Sequence, residues 1–221
     1  MNGQLSAREL LARAEAAALG RVKAGKPAQL SPSPVINAAK DEATVYVYDA
    51  IGSWYGVDPL TWVEEFRAIK ARTIHLRINS PGGVVTDAEA MRVSISQHSA
   101  KVIAHIDGMA ASAATGLACA CNEIEMAEGA WWMIHDAWGG IAGFEQDMIS
   151  YAGILRRTTD NIAATYVRKT GKSLEQVKKW MHAETWFTAA EALHHGFVDR
   201  IFVPGGQTSN SADRAKRERA L

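Results

Sequence analysis

Between Thr44 and Phe202 short apolar runs alternate with stretches of helical period, and this alternation limits the chain to an α/β architecture with largely parallel pairing. Thr44–Tyr48, Thr73–Ile78, Val102–Ile106, Glu123–Met126, Trp132–His135 and Val198–Phe202 read as strands. Pro59–Ala71 spaces Leu60, Val63, Phe66 and Ile69 by three residues and reads as a helix. Asp87–Ser99, Ala110–Ala120, Gly143–Thr170, Ser173–Met181 and Ala189–His195 read as further helices. The longest carries Met148, Tyr151, Leu155, Thr158, Ile162 and Tyr166 on one face. No internal repeat is visible.

The two ends depart from this pattern. Residues 1–40 read as an N-terminal helix, over 5–24 with Ser6 and Glu9 as a capping box, followed by a linker holding Pro27, Pro32 and Pro34. The compact unit is expected over 41–203, and 204–221 as a flexible polar and basic tail. Lys+Arg and Asp+Glu both number 24 in 221 residues, so the net charge is zero and gives no ground for a nucleic-acid or anionic-membrane partner. The N-terminus lacks the apolar core of a secretory signal and no long apolar run follows, so a cytoplasmic location is expected. Cys119 and Cys121, a C-x-C pair without a second Cys/His pair nearby, read as buried thiols in a reducing compartment. No metal or organic cofactor is expected.

Three segments have the make-up of a site. Ile78-Asn79-Ser80-Pro81-Gly82-Gly83 lies between a strand and a helix, and its glycines permit backbone that can aim an N–H at a ligand oxygen; a plain tight turn fits equally. In Asp107-Gly108-Met109-Ala110-Ala111-Ser112-Ala113-Ala114 a strand ends, Gly108 permits a sharp turn, and a helix of small residues begins. Ser112 would stand at the positive end of that helix with the Ala113 N–H beside it, although a closely packed structural helix fits the segment as well. Met133-Ile134-His135-Asp136-Ala137-Trp138-Gly139-Gly140 places a histidine at the end of an apolar strand, where it could face a cleft, although taken alone a buried structural histidine fits better. A serine hydroxyl needs a base within hydrogen-bond reach, and the base needs an orienting acid. Asp136 is a poor orienter, because neighbours on an extended chain face opposite ways. Glu184, between two helices and beside Trp186 and Phe187, is the better-placed carboxylate.

Taken together and in order, INSPGG, GMAASAA, MIHDAWGG and the block SLEQVKKWMHAETWFTAAEALHHGFVD resemble the Clp protease proteolytic-subunit family over residues 43–203. The resemblance implies a Clp/crotonase-type core of repeated β-β-α units in a spiral, with a long helix inserted after the histidine motif. It implies Ser112 as nucleophile, His135 as general base, Glu184 where the family usually has Asp, and the N–H groups of Gly83 and Ala113 as an oxyanion hole. Asp199 reads as structural in the same block. An extended peptide would add as a strand against Gly82, Gly83 and Val84 on one side and Gly139 and Gly140 on the other. Asp49–Val57 with Glu184-Thr185-Trp186-Phe187 is similar to the Clp-type head maturation proteases of tailed phages and prophages, which trim scaffold and capsid proteins in an assembling prohead. The resemblance also implies a homo-oligomeric ring joined through the long helix. The alternatives are a housekeeping subunit working with an ATP-driven unfoldase, a crotonase-fold acyl-CoA enzyme, and an inactive assembly subunit.

Overall fold

The computed structural model describes residues 35–37, 41–53, 56–203 and 209–210. The helix expected over 5–24, most of the C-terminal tail, and Trp54 and Tyr55 lie outside them. The strands are β1 (Val35–Asn37), β2 (Glu42–Val47), β3 (Thr73–Ser80), β4 (Lys101–Ala111), β5 (Glu123–Ala127), β6 (Trp131–Ile134), β7 (Thr185–Thr188), β8 (Arg200–Phe202) and β9 (Ser209–Asn210). The helices are α1 (Pro59–Ala68), α2 (Val85–Gln97), α3 (Ala113–Ala118), α4 (Glu145–Thr170), α5 (Leu174–His182) and α6 (Ala189–His195).

Strands β2, β3, β4, β5 and β8 pair in parallel, in that order, so the α/β expectation holds. Strands β1 and β9 close the two edges antiparallel, and they fall within the stretches expected as linker and tail. The long β4 serves two layers. Its first half runs between β3 and β5; Met109–Ala111 turns away to pair with β6, which pairs antiparallel with β7. The bend falls near Gly108, where a Cβ would stand 2.7 Å from Asn79 Oδ1.

Alternation along β2, β3 and β5 buries every second residue against the helices. Val45, Val47, Ile74, Leu76, Ile78, Ile124 and Met126 form that inner face with Phe66 and Met91 from the helices. Each such side chain contributes about 1.5–3 kcal/mol on leaving water. The opposite face is polar and half-buried, and carries Arg77 paired with Asp107, and Arg200 bridging Glu123 (2.5 Å) and Glu125 (2.7 Å).

Local signals set the helix ends. Asp58 accepts a hydrogen bond from the Thr61 N–H (2.9 Å) ahead of Pro59, and Thr188 with Glu191 forms a reciprocal cap on α6. Gly171 ends α4 in the left-handed conformation at φ 67°. At 26 residues, α4 is about 39 Å long, and only Ala163 and Tyr166 are fully buried. Its N-terminal half leaves the body of the protein, with Phe144, Met148, Ile149 and Ile154 half or more exposed. No helix among the described residues is long and apolar enough to cross a membrane.

Candidate active site

Strand β4 ends at Ala111 and α3 starts at Ala113, which leaves Ser112 at the junction with φ 53° and ψ −128°. A side chain with positive φ costs of order 1–3 kcal/mol and persists only where its surroundings hold it. Here the Ser112 N–H donates to the Met133 carbonyl (2.9 Å), tying the junction to β6. The Ser112 carbonyl accepts from the Thr115 N–H (3.0 Å) and the Thr115 hydroxyl (2.6 Å). That hydroxyl in turn accepts from Tyr166 of α4 (2.6 Å). Burial raises the Tyr166 pKa, so its phenol stays protonated and able to donate.

The β4–β6 pairing of Ala111 with Met133 carries the chain on to His135 beside Ser112. His135 Nε2 lies 2.7 Å from Ser112 Oγ, and the residue is only 8% exposed. A serine hydroxyl at this distance from an imidazole can hand over its proton as it attacks an electrophile. The register from Trp131↔Thr188 ends at Ile134↔Thr185, so His135 and Glu184 each lie one residue beyond the last pair of the two adjacent strands. Glu184 has φ 50°, and its N–H donates to the Met181 carbonyl (3.0 Å), so the turn out of α5 fixes its backbone.

The glycine turn closes the third side. Gly82 and Gly83 adopt φ 92° and 151°. A Cβ on Gly82 would lie 2.6 Å from the Ala111 carbonyl oxygen and 2.8 Å from the Ala113 nitrogen, so only glycine lets the turn approach Ser112 this closely. The Ile51 N–H donates to the Gly82 carbonyl (2.7 Å) and the Val84 N–H to the Ile51 carbonyl (2.9 Å), which pins the turn from behind.

Ser112, Ala113, Gly83 and His135 share the wall of a cleft of about 360 Å³ between α2, α3 and α4. Gly82, Val84, Gly139 and Gly140 lie outside its lining. Gly139 packs on the Tyr151 hydroxyl, while Gly140 is exposed, with nothing within 4 Å of where its Cβ would stand.

The remaining candidates are held elsewhere. Asp136 meets His182 Nδ1 (3.1 Å). Asp199 accepts from the Ile124 N–H (2.8 Å) and from Lys169 (3.0 Å), joining the sheet to α4. His75 and His105 bond to each other across β3 and β4 (2.9 Å), and His195 packs on Trp180. Burial pushes the Cys119 thiol up to about 12 and Cys121 also upward, so neither supplies a thiolate. Among the described residues no group of His, Cys, Asp and Glu side chains could hold a metal ion.

Two features of the site are missing from the sequence-level reading: strand β7, whose last pair with β6 adjoins both His135 and Glu184, and the charged pair Glu89–Arg92 in the cleft wall. The aromatic and β-branched run Thr185-Trp186-Phe187-Thr188 carries the signal for the strand.

The sequence profile described as Clp protease matches residues 60–205. Proteins named ATP-dependent Clp protease proteolytic subunit, from Streptococcus pneumoniae strains Hungary19A-6 and CGSP14, are each 33% identical over 136 residues, covering 60% of this chain and 69% of theirs. The same protein of strain ATCC BAA-255 / R6 matches equally. With its parallel α/β core and a serine–histidine pair in one cleft, the chain belongs to the Clp protease family and is a serine-type peptidase.

Proposed function

We propose that residues 41–203 form an endopeptidase unit in which Ser112 attacks the scissile carbonyl, His135 is the general base and Glu184 holds the histidine. The observation that carries this reading is the 2.7 Å contact between Ser112 Oγ and His135 Nε2, made by a serine in a strained conformation. For Nε2 to accept the proton, the ring proton sits on Nδ1, which Glu184 orients. The Gly83 and Ala113 N–H groups receive the developing oxyanion at the start of α3. Losing one such donor costs about 3–4 kcal/mol in the transition state. His135 then protonates the leaving amine, and water attacks the acyl enzyme to release the second product.

The substrate is an extended protein or peptide segment, laid between the Gly82–Val84 edge and the exposed Gly139–Gly140 run. The enzyme works as a homo-oligomeric ring, a reading supported by the apolar residues exposed on the first half of α4. Its biological role is prohead maturation, the trimming of capsid or scaffold proteins in the bacterial cytoplasm or inside an assembling prohead. The Glu184-Thr185-Trp186-Phe187 block supports that role. A second reading, a housekeeping subunit fed by an ATP-driven unfoldase, is supported by the names of the pneumococcal relatives.

Co-expression with tailed-phage capsid and scaffold proteins separates the two. Appearance of a truncated capsid or scaffold product, absent with Ser112→Ala, is the expected result. Degradation of a folded substrate only when an unfoldase and ATP are added would overturn the maturation role in favour of the second reading.

A further inference from the structure

The cleft runs on well past the serine. Its floor is α3, through Ala113, Gly116 and Leu117, and its long walls are one stripe of α2 and one of α4. On α2 the stripe descends from Val85 through Ala88 to Glu89 and Arg92, the i, i+3, i+4, i+7 spacing of a single helix face. On α4 it presents Thr158, Asn161 and Thr165. Leu117, Ile162 and Tyr166 make part of the lining apolar, and the Glu89–Arg92 pair stands in the α2 wall. The groove has the depth for a long side chain: Arg92 lies seven residues beyond Val85, about 10 Å along the axis, and helical side chains lean back toward the N-terminus and so toward the nucleophile.

Glu89 fixes the guanidinium. Arg92 Nε donates to one Glu89 oxygen (2.7 Å) and Nη2 to the other (2.6 Å), a two-pronged pair that fixes the group in the wall. These bonds use two of the five guanidinium donors and leave the others for an acceptor in the groove. The Arg92 side chain is 27% exposed against 54% for Glu89, so the arginine is the deeper member of the pair. Among the described residues Arg92 is the one arginine of the lining, which also holds the carboxylates of Glu89 and Asp136.

We infer that Arg92 is a specificity-determining residue and that the groove takes the substrate side chain preceding the scissile bond, selecting a long chain that ends in a carbonyl oxygen, glutamine or glutamate. The inference rests on the catalytic reading of Ser112. The apolar stem lies on Leu117 and Ala88, and the terminal oxygen accepts from Arg92. Methionine has the length of glutamine without the acceptor and leaves the arginine donors unmatched; lysine brings donors and offers the arginine no acceptor.

The test is a set of fluorogenic peptides that differ only at that residue, with Gln, Glu, Met, Leu or Lys, cleaved by the full chain and by Arg92→Met and Arg92→Lys. The expected result is a kcat/KM for Gln and Glu at least about tenfold above that for Met, the range of a hydrogen bond to a charged group. Arg92→Met brings this ratio to about one, and Arg92→Lys restores part of it. Fluorophosphonate labelling of Ser112 is run on every protein. Equal cleavage after Gln and Met by wild-type enzyme that takes the label overturns the pocket and leaves the catalytic reading standing. Absence of both label and cleavage overturns the two together. The wild-type peptide series decides the matter even where a variant does not fold.

Discussion

At the scale of single residues the site depends on backbone that few residues tolerate. Ser112 and Glu184 both hold positive φ, and both lie where a strand or helix gives way to the next element. Gly82 answers the same demand with no side chain at all. Gly82→Ala places a methyl group against the Ala111 carbonyl, so it is expected to lower stability by more than about 1 kcal/mol and to abolish peptide cleavage. Gly140→Ala, with open space around it, is expected to leave melting temperature unchanged; thermal melts of the two variants check the contrast. Glu184→Gln keeps the shape of the side chain but not its charge. Its expected effect is a fall in kcat of roughly 10²–10⁴ with KM little changed, read from steady-state kinetics. Ser112 and His135 are legible in the sequence through the family resemblance of their motifs in order; each segment alone fits a packed small-residue helix or a buried structural histidine as well. Arg92 is not legible as a cleft residue. An arginine three residues from a glutamate on a helix looks like an ordinary surface pair until α4 is seen to close over the same face.

At the scale of elements, strands and helices fall where hydrophobic period places them, and Ala189–His195 matches in both bounds. The misses have physical causes. Ala110 and Ala111 read as helix because alanine favours it, yet both are held in β4 by pairing with β6. Thr185–Thr188 is too short to carry a clear alternation and becomes a strand only against β6. The stripe on α4 is real, but only its C-terminal half meets the core. Met148, Ile149 and Ile154 remain half exposed or more on an element that leaves the body of the chain. A Met148→Glu/Ile149→Glu double variant is therefore expected to shift the mass measured by light scattering to a smaller species, with helical content by circular dichroism unchanged. An unaltered mass would remove this helix from the assembly interface.

At the scale of the whole molecule, the sheet has one face packed on helices and one face lined by a polar network that includes a histidine pair. His105 Nε2 faces His75 (2.9 Å) and His105 Nδ1 faces Glu125 (2.9 Å). Glu42 stands 3.9 Å from the other side of His75, Arg77 lies along β3, and Arg200 holds Glu125. Burial lowers the His105 pKa and outweighs the opposing pull of Glu125. The unfolded chain, titrating near the ordinary value of about 6.5, then takes up a proton more readily than the folded one, so this histidine's contribution is complete above that pH and is lost below it. The melting temperature is expected to fall between pH 7 and pH 5, and His105→Gln to flatten that slope. From the residue pattern alone the topology is legible only as a class, and the family resemblance adds the long helix after the histidine motif, present as α4. Alternation implies parallel strands, but the division of β4 between two layers depends on Gly108 meeting Asn79, a contact twenty-nine residues apart that no local pattern encodes.

The central claim is that Ser112 is an activated nucleophile. Incubation with a fluorophosphonate at neutral pH, followed by intact mass and peptide mapping, tests it most directly. One adduct per chain on the peptide containing Ser112, lost in Ser112→Ala and strongly slowed in His135→Ala, is the predicted result. Folded, assembled protein that takes no adduct, or takes it on another residue, would contradict the account.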